Sequence, residues 1–250
     1  SLLEAGELGP MILCAPDCMT RWGGSQFLDS PVQGRYQSWL VDEVIPFVDA
    51  RYRTIPRPAS RAVIGRSSGG FGALRLGLDR PGHAAVYASH AGDSAFEASI
   101  RPGFTRAAIT FDRAGGLLPF IENFEAKGPK GAGDFEAIMT VASATAYAGD
   151  LSLPFPHFNL PFDIHSAAVV ESEWERWLGQ DPLSLIVDRA EAFSDASLVF
   201  LDAGDRDEYG LHFGARQMHR RLRERGVSCV YEEFPGGHRG TAYRYAHSLP

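Results

Sequence analysis

Cysteine and clustered positive charge are both scarce in this sequence of 250 residues. Three cysteines, Cys14, Cys18 and Cys229, cannot build a disulfide framework, so we predict buried or lightly exposed thiols. A formal net charge of -7 and the absence of any basic run argue against a nucleic-acid partner and an anionic membrane surface. Small neutral or cationic ligands are compatible with this charge.

Sequence signals for metal binding, membrane insertion and export are missing too. No H-E-x-x-H motif occurs and the eight histidines are scattered, so we predict no metal site. No apolar segment reaches the length of about 18 residues that spans a bilayer, so we expect no membrane span. No signal peptide is visible at Ser1, and this favours a cytoplasmic location.

The sequence does contain enough apolar residues for one substantial core, at 44% hydrophobic and 11% aromatic. A single domain over residues 1–250 is the default at this length. Short apolar runs at 61–65, 84–89, 197–202 and 227–234 alternate with amphipathic segments. This alternation predicts an α/β protein with a mostly parallel sheet flanked by helices.

Other segments have the patterns of strands and helices as well. Residues 11–14 have the sequence of a short strand buried on both faces, and apolar residues recur at helical spacing over 34–53. Pro46 lies inside that helical segment and predicts a kink. Further helices are predicted over 69–79 and 211–226, the second ending at a glycine.

Between about 93 and 190 the alternation gives way to irregular sequence rich in proline, glycine and aromatic residues. A stretch of this length predicts a lid or cap insertion that carries binding surface, and the alternative is a passive structural excursion. A short helix is expected around Trp174 and Trp177, whose i,i+3 spacing suggests that they anchor the insertion.

A G-x-S-x-G motif stands within residues 65–72, after a strand-like run and before a helix-like one. This is the setting of a nucleophile elbow, so Ser67 is the candidate nucleophile. We expect that a side chain at Gly65 or Gly69 would crowd the strained turn. The alternative is that the motif occurs by chance in an ordinary loop.

A serine nucleophile needs a histidine to take its proton and an acid to orient that histidine, and both are expected downstream. Four carboxylates follow the run at 197–202, and spacing alone does not choose between Asp202, Asp205, Asp207 and Glu208. His238 is the predicted general base, because the two glycines before it let the backbone turn toward Ser67.

Further side chains are candidates for the substrate pocket. His90 follows a strand at the same rim of the sheet, whereas His212, His219 and His247 are predicted to have surface or packing roles. Trp22 and Phe27 follow the run at 11–14 and either line the acyl or alcohol pocket or pack in the core; these two readings stay open.

Several segments are together similar to one known family. They are Ala15-Pro16-Asp17, Asp29-Ser30 with Gly34 and Trp39, Val44-Ile45-Pro46, Tyr52-Arg53 and the elbow from Gly65 to Ala73. On these segments the chain resembles the esterase D-like branch of the α/β-hydrolases, which includes S-formylglutathione hydrolases, feruloyl esterases, enterochelin esterases and mycolyltransferases. The resemblance covers roughly residues 10–92 and 195–247. It implies the α/β-hydrolase fold, with the insertion between the sixth and seventh strands.

The resemblance also implies roles for particular residues. The acid of this family falls three residues after a glycine that closes the seventh strand, which selects Asp207, and its Gly-His near the C-terminus matches His238. The residue after the nucleophile, often methionine, is Ser68 here, and its amide is the expected oxyanion donor. Ala91-Gly92-Asp93 replaces the usual Ser-Gly and looks most like the enterochelin-esterase-like members, so Asp93 joins the substrate-binding candidates.

The second oxyanion donor of this fold comes from a loop after the third strand, commonly marked His-Gly. No such segment precedes Met11, and residues 11–14 would be the fourth strand by the same count. Without the third strand the middle of the sheet would hold unpaired backbone groups. We therefore expect that an N-terminal part with the first strands and half of the oxyanion hole is missing from this sequence.

The combined prediction is a carboxylic ester hydrolase that acts on a small-molecule ester through an acyl-enzyme and needs no cofactor. Ser67 attacks the carbonyl, His238 moves the proton, Asp207 orients the ring and the Ser68 amide stabilises the oxyanion. One alternative is acyl transfer to an alcohol by the same triad. Another is a catalytically silent module that keeps the fold and binds a ligand or partner.

Overall fold

A computed structural model describes residues 4–128, 131, 133–189 and 191–249 of the chain. Two antiparallel hairpins of very short strands come first, and a four-stranded parallel sheet in the order β5-β6-β7-β8 follows. The strands are β1 (Met19–Thr20), β2 (Gly23–Gly24), β3 (Asp29–Ser30), β4 (Gly34–Arg35), β5 (Ala62–Arg66), β6 (Val86–His90), β7 (Leu198–Gly204) and β8 (Cys229–Phe234). Each apolar run predicted for the parallel sheet therefore forms a strand, with ends that differ by a residue or two.

The carboxyl ends of the parallel strands meet at one edge of the sheet. The register places Arg66 opposite His90, His90 opposite Asp202 and Asp202 opposite Glu232. Polar side chains at or near the ends of different strands are thus neighbours at this edge, where ligands bind in open α/β sheets.

The helix that starts near the amino end of the chain is irregular in the middle. Helix α1 (Tyr36–Trp39) continues into a π-helical turn at Leu40–Val44 and then into α2 (Ile45–Arg51). The predicted kink at Pro46 stays a prediction, and the irregular turn lies directly before this proline. Pro46 is in the first turn of α2, where the missing N–H costs little.

Two longer helices pack on the sheet and agree with the predictions. Helix α3 (Ser68–Asp79) contacts β5 and β6, and α10 (Leu211–Glu224) contacts β7 and β8. Gly226 has φ +72° and ends the second of these helices, as its position in the sequence predicts. The core between helices and sheet is built of buried apolar residues that include Leu74, Leu76, Tyr87, Val199, Leu201, Met218 and Leu222.

Most of the described chain between β6 and β7 is helical, so the prediction of a largely irregular stretch is wrong there, whereas residues 149–170 contain no helix and agree with it. Six α-helices lie in the described part of this segment: α4 (Phe96–Ser99), α5 (Phe104–Arg113), α6 (Leu117–Lys127), α7 (Asp134–Ala148), α8 (Glu171–Leu178) and α9 (Pro182–Asp188). Trp174 and Trp177 are 1% and 0% exposed and pack on Phe104, which agrees with their predicted anchoring role. Whether this insertion acts as a lid stays a prediction.

Residues 11–14 do not form the predicted strand. Leu13 is 75% exposed, and among the described residues β5 pairs only with β6. An apolar run becomes a strand only when a neighbouring strand accepts its backbone hydrogen bonds, and these residues find no such neighbour. The expectation of further strands at this side of the sheet stays a prediction. None of the described helices has both the length and the apolar character needed to cross a membrane.

Candidate active site

Ser67 is the single residue between β5 and α3. Its backbone has φ 56° and ψ -124°, a combination that residues with side chains rarely adopt. Gly65 makes room for this turn, because a Cβ atom there would lie 2.3 Å from the backbone of Gly69. The Ser67 N–H donates to the carbonyl of His90 at 2.9 Å and ties the turn to the end of β6. The predicted strand, sharp turn and helix are therefore all present.

The remaining glycines of the elbow differ in the space that a side chain would find. A Cβ atom at Gly69 would meet nothing within 4 Å, so the prediction that a side chain there would crowd the turn is wrong. The backbone of Gly69 lies close to Gly65, whereas a side chain at Gly69 would point into open space. Gly70 and Gly72 are the crowded positions: a Cβ atom would lie 2.8 Å from the Gly92 Cα in the first case and 2.6 Å from the Phe27 ring in the second.

His238 lies between Ser67 and Asp207. Its Nε2 is 3.1 Å from the Ser67 Oγ, and its Nδ1 is 2.9 Å from Oδ2 of Asp207. An ionised carboxylate can only accept hydrogen bonds, so this network assigns the proton to Nδ1 and leaves Nε2 to accept from the serine hydroxyl. The histidine and the aspartate are 7% and 5% exposed, so little water competes for these contacts.

Asp207 is held by the turn that follows β7. Its N–H donates to the carbonyl of Gly204 at 3.1 Å, and its Oδ1 accepts from the N–H of Tyr209 at 2.9 Å. Oδ2 is then left for His238. The Tyr209 ring meets the imidazole edge-on, with 5.0 Å between ring centroids. Of the four carboxylates that compete by sequence, the one selected by resemblance is the one that faces the histidine.

The other three carboxylates have different partners. Oε2 of Glu208 accepts from the backbone N–H of His238 at 2.7 Å, and this bond lowers the pKa of Glu208. Oδ1 of Asp205 accepts from the N–H of Gly236 at 3.0 Å, which likewise lowers its pKa. Asp202 belongs to a separate buried cluster described below. Glu208 thus holds the main chain of His238 itself, whereas Asp205 bonds to Gly236, two residues before it.

The loop that carries His238 turns without left-handed glycines just before it. Neither Gly236 nor Gly237 has a positive φ, which corrects the reason given from the sequence for their presence. Gly237 instead provides space, since a Cβ atom there would lie 2.7 Å from Oε1 of Glu208. Nη1 of Arg66 donates to the His238 carbonyl at 2.9 Å. The sequence analysis missed Arg66, because no local pattern signals a contact between residues this far apart.

Ser68 is the first residue of α3. The first N–H groups of a helix have no acceptor within the helix, and the helix dipole makes this end attractive to negative charge. The Ser68 amide directly follows the candidate nucleophile and can therefore donate to an oxyanion formed there.

Asp93 lies on the loop that leaves β6, one residue after Gly92, which packs on Gly70 in the first turn of α3. Burial raises the pKa of Asp93 to about 6; attraction by His238 opposes this and repulsion by Asp207 adds to it. No lysine or arginine in the described part of the chain forms an ion pair with it. This carboxylate therefore feels the charges of His238 and Asp207 and has no compensating lysine or arginine among the described residues.

The two aromatic candidates have different surroundings. Trp22 is 5% exposed, its Nε1 donates to Glu125 at 2.7 Å, and its ring packs on Phe158, so it belongs to the core. Phe27 is only partly buried and its ring contacts Gly72 in α3. Of the pair, Phe27 is thus the side chain available near the elbow.

His90 is buried in a second serine, histidine and aspartate arrangement. Its Nδ1 is 2.9 Å from Oδ1 of Asp202, and its Nε2 is 3.0 Å from the Oγ of Ser248. Nε of Arg244 donates to the other oxygen of Asp202 at 2.8 Å. We name His90, Asp202, Arg244 and Ser248 the His90 cluster. Because His90 is 3% exposed and both its ring nitrogens have partners, neither nitrogen is available to bind a substrate.

The other histidines have the packing and surface roles predicted for them. His212 is buried, with its ring 4.0 Å from the Phe213 ring, and His219 packs on Tyr231 at 5.6 Å between centroids. His247 lies against Tyr243 at the edge of the C-terminal helix α11 (Tyr245–Ser248).

The cysteines are free thiols, as predicted. Cys14 is exposed, while Cys18 and Cys229 are buried, and burial raises their pKa to about 11 and about 12. Thiols with raised pKa are poor nucleophiles at neutral pH. In the described ranges, no group of three or more histidine, cysteine, aspartate or glutamate side chains could hold a metal ion.

A mostly parallel sheet flanked by helices, with a serine at the turn between β5 and α3, defines an α/β-hydrolase fold. The solved structure of a ferulic acid esterase has the same fold, with a TM-score of 0.56 and 18% identity over 99% of this chain and 69% of that one. The family described as "Putative esterase" matches residues 28–249. The chain belongs to this esterase family.

Curated relatives agree with this membership at low identity. Esterase MT1326 and esterase Rv1288, from two strains of Mycobacterium tuberculosis, are each 24% identical over 253 residues. Each alignment covers 94% of this chain and 43% of the relative, so the chain spans less than half the length of these proteins.

Proposed function

We propose that this chain is a serine carboxylic ester hydrolase that works through an acyl-enzyme. The proposal is based on two contacts of His238. Its Nε2 is 3.1 Å from the Ser67 Oγ, and its Nδ1 is 2.9 Å from Oδ2 of Asp207. Esterase family membership supports the reaction class. The proposed reaction involves no oxidation or reduction, and the side chains and backbone amides of the protein supply every group that it needs.

Ser67 is the nucleophile and His238 the general base in this mechanism. As the Ser67 Oγ attacks the ester carbonyl, its proton passes to Nε2 of His238, and the ring becomes positively charged. Asp207 keeps the ring in the required tautomer and stabilises that charge through Nδ1. The histidine then gives the proton to the departing alcohol. Water, activated by the same histidine, hydrolyses the acyl-enzyme in the second half of the reaction.

The negative charge of the tetrahedral intermediate is stabilised by the Ser68 amide. A donor of this kind contributes about 10²- to 10³-fold to the rate. The position of Ser68 at the start of a 12-residue helix supports this role, because the helix dipole has the matching sign.

Asp93 and Phe27 are the proposed substrate contacts. An unpaired carboxylate next to the catalytic histidine favours an ester with a hydrogen-bond donor or a positive charge near the scissile bond. Comparing kcat/KM for a choline ester and its uncharged 3,3-dimethylbutyl isostere tests this preference. Asp93→Asn should reduce the preference for the cation by about tenfold, whereas an unchanged ratio would remove Asp93 from the substrate site.

The acyl-enzyme can be tested directly by mass spectrometry. After rapid mixing with p-nitrophenyl acetate and acid quenching, the peptide that holds Ser67 should gain one acetyl group. Ser67→Ala should abolish this adduct, and Ser68→Ala is the matched control because it keeps the backbone amide. Turnover without an adduct on Ser67, or an equal adduct in Ser67→Ala, would contradict the mechanism. No turnover by the wild type would favour the silent binding module.

A further inference from the structure

The main chain of His238 is held by two charged side chains from different parts of the fold, and the Thr241 hydroxyl adds a longer contact, at 3.5 Å, to its carbonyl oxygen. Oε2 of Glu208 accepts from its N–H at 2.7 Å, and Nη1 of Arg66 donates to its carbonyl oxygen at 2.9 Å. Neither contact involves the imidazole ring, whose nitrogens face Asp207 and Ser67. Both backbone groups of the histidine are therefore fixed independently of the ring.

The place of His238 in the fold explains why such restraint matters. Residues 235–241 form neither helix nor strand, so no regular hydrogen-bond pattern fixes this loop. Bonds to the ring alone would let the backbone pivot about the imidazole. A displacement of about 1 Å between reacting groups can cost about 100-fold in rate. Small movements of this loop would thus lower the catalytic rate.

We propose that Glu208 and Arg66 are positioning residues, which fix the main chain of His238 so that its Nε2 stays within reach of the Ser67 hydroxyl. This proposal rests on the proposed function of the triad. Glu208 and Arg66 touch neither substrate nor reacting atoms, and they act through the histidine. We name them the backbone clamp.

The sequence around the clamp connects the three parts of the active site. Glu208 follows Asp207, so one turn supplies the partner of the ring and the partner of the backbone N–H. Arg66 precedes Ser67, so the partner of the carbonyl is anchored next to the nucleophile. Gly237 allows the short contact, because a Cβ atom there would lie 2.7 Å from the Glu208 carboxylate. The nucleophile turn, the acid turn and the histidine loop are thereby joined.

Exposure separates a positioning role from a purely structural one. The side chains of Glu208 and Arg66 are exposed. Exposed charged side chains contribute only about 0–1 kcal/mol to folding stability, so removing them should hardly change the melting temperature. If the clamp only supported the fold, its loss would also leave the rate unchanged. A large loss of kcat without a loss of stability is therefore its signature.

The experiment compares Glu208→Ala and Arg66→Ala with Asp205→Ala. Asp205 is the matched control, because its carboxylate accepts from Gly236 in the same loop at 3.0 Å but does not contact His238. With p-nitrophenyl acetate we expect each clamp variant to lower kcat by about 10- to 100-fold, with KM changed less than about twofold. Glu208→Gln keeps an acceptor for the N–H and should restore most of the rate. Asp205→Ala should stay within about threefold of wild type.

Hydrogen exchange of the His238 amide provides a readout that does not need activity. Glu208→Ala should accelerate its exchange by at least about tenfold, whereas Asp205→Ala should leave it unchanged. The clamp is overturned if kcat falls less than about threefold, if Asp205→Ala matches the clamp variants, or if exchange at His238 is unaffected. A wild type without turnover and without a Ser67 adduct would instead contradict the proposed function, and exchange would still test the restraint.

Discussion

Two serine, histidine and aspartate arrangements lie at the same edge of the sheet, and their contact distances are nearly equal. In the first, the Ser67 and Asp207 contacts of His238 are 3.1 and 2.9 Å. In the His90 cluster, the corresponding distances to Ser248 and Asp202 are 3.0 and 2.9 Å. Hydrogen-bond geometry alone therefore does not distinguish a nucleophile from a structural serine.

The surroundings of the two serines differ in backbone and in charge. Ser67 has a left-handed φ at the start of a 12-residue helix, whereas Ser248 ends a four-residue helix. Asp202 is compensated by the buried guanidinium of Arg244, which also pairs with Glu232. Among the described residues, Asp207 has no such partner and accepts only from backbone N–H groups and His238. The Asp207 carboxylate can therefore stabilise a positive charge on the His238 imidazole. The charge of Asp202 is instead neutralised by Arg244, and the His90 cluster binds the C-terminal helix through Ser248.

Removing each serine gives the largest expected contrast. Ser67→Ala should lower kcat by at least about 10⁴-fold without a change in fold, because no other group supplies the attacking oxygen. Ser248→Ala should change kcat less than about threefold. Steady-state kinetics with an aryl ester measures both. Equal losses in the two variants would remove the distinction between the arrangements.

Replacing each aspartate by asparagine distinguishes an effect on the catalytic rate from an effect on the stability of the fold. Asp207→Asn should lower kcat by about 10⁴-fold, because the amide favours the wrong tautomer of His238. Asp202→Asn should instead lower the free energy of unfolding by about 3 kcal/mol, because Arg244 loses a buried partner. Urea unfolding and kinetics on both variants check this. A reversed pattern would mean that the roles are exchanged.

Alanine at two elbow glycines tests whether the turn is what singles out Ser67. Gly65→Ala should cost about 2 kcal/mol or more of stability and most of the activity, because its Cβ would lie 2.3 Å from the Gly69 backbone. Gly69→Ala should be neutral or stabilising by up to about 1 kcal/mol, since it lies in α3 with open space around it. Thermal unfolding of the two variants measures this, and a destabilised Gly69→Ala would contradict the geometry.

The smallest expected effect concerns the uncompensated Asp93. Burial raises its pKa from 3.8 to about 6 in the folded chain, so the folded state binds the proton more tightly than the unfolded state. The resulting penalty is absent below pH 3.8, grows as the pH rises to about 6 and is complete above that.

Asp93→Asn should therefore be more stable than wild type at pH 7.5, by on the order of 1 kcal/mol after allowance for its partial exposure. The difference should shrink at pH 4.5. Urea unfolding at both pH values measures it, with Asp195→Asn, at an exposed position, as control. A difference that does not depend on pH would show that Asp93 already has a compensating partner.

Local patterns predicted the part of the fold that local physics determines. The apolar runs became β5 to β8, and the glycine-rich turn placed Ser67 between strand and helix. The strand expected at 11–14 did not form, because no strand among the described residues lies beside it to share backbone hydrogen bonds. Helix α7 was missed because every residue of its second half, 141–148, is buried, so this half lacks an amphipathic period.

The candidate site was predictable only in its outline. Ser67 and His238 stand in recognisable turns, but spacing left four carboxylates open and only the resemblance selected Asp207. Long-range contacts have no local signature, so neither Arg66 on the His238 carbonyl nor the burial of His90 by Asp202 and Ser248 could be read from the sequence. Such contacts depend on which strand ends meet at the sheet edge.

The central claim is that Ser67, and not Ser248, is an activated nucleophile. Labelling with a fluorophosphonate, followed by peptide mapping, tests it most directly, because only a serine activated by its neighbours reacts. We expect one phosphonylated site, at Ser67, that is lost in His238→Ala and kept in Ser248→Ala. Labelling at Ser248, or labelling of Ser67 that persists in His238→Ala, would contradict the account.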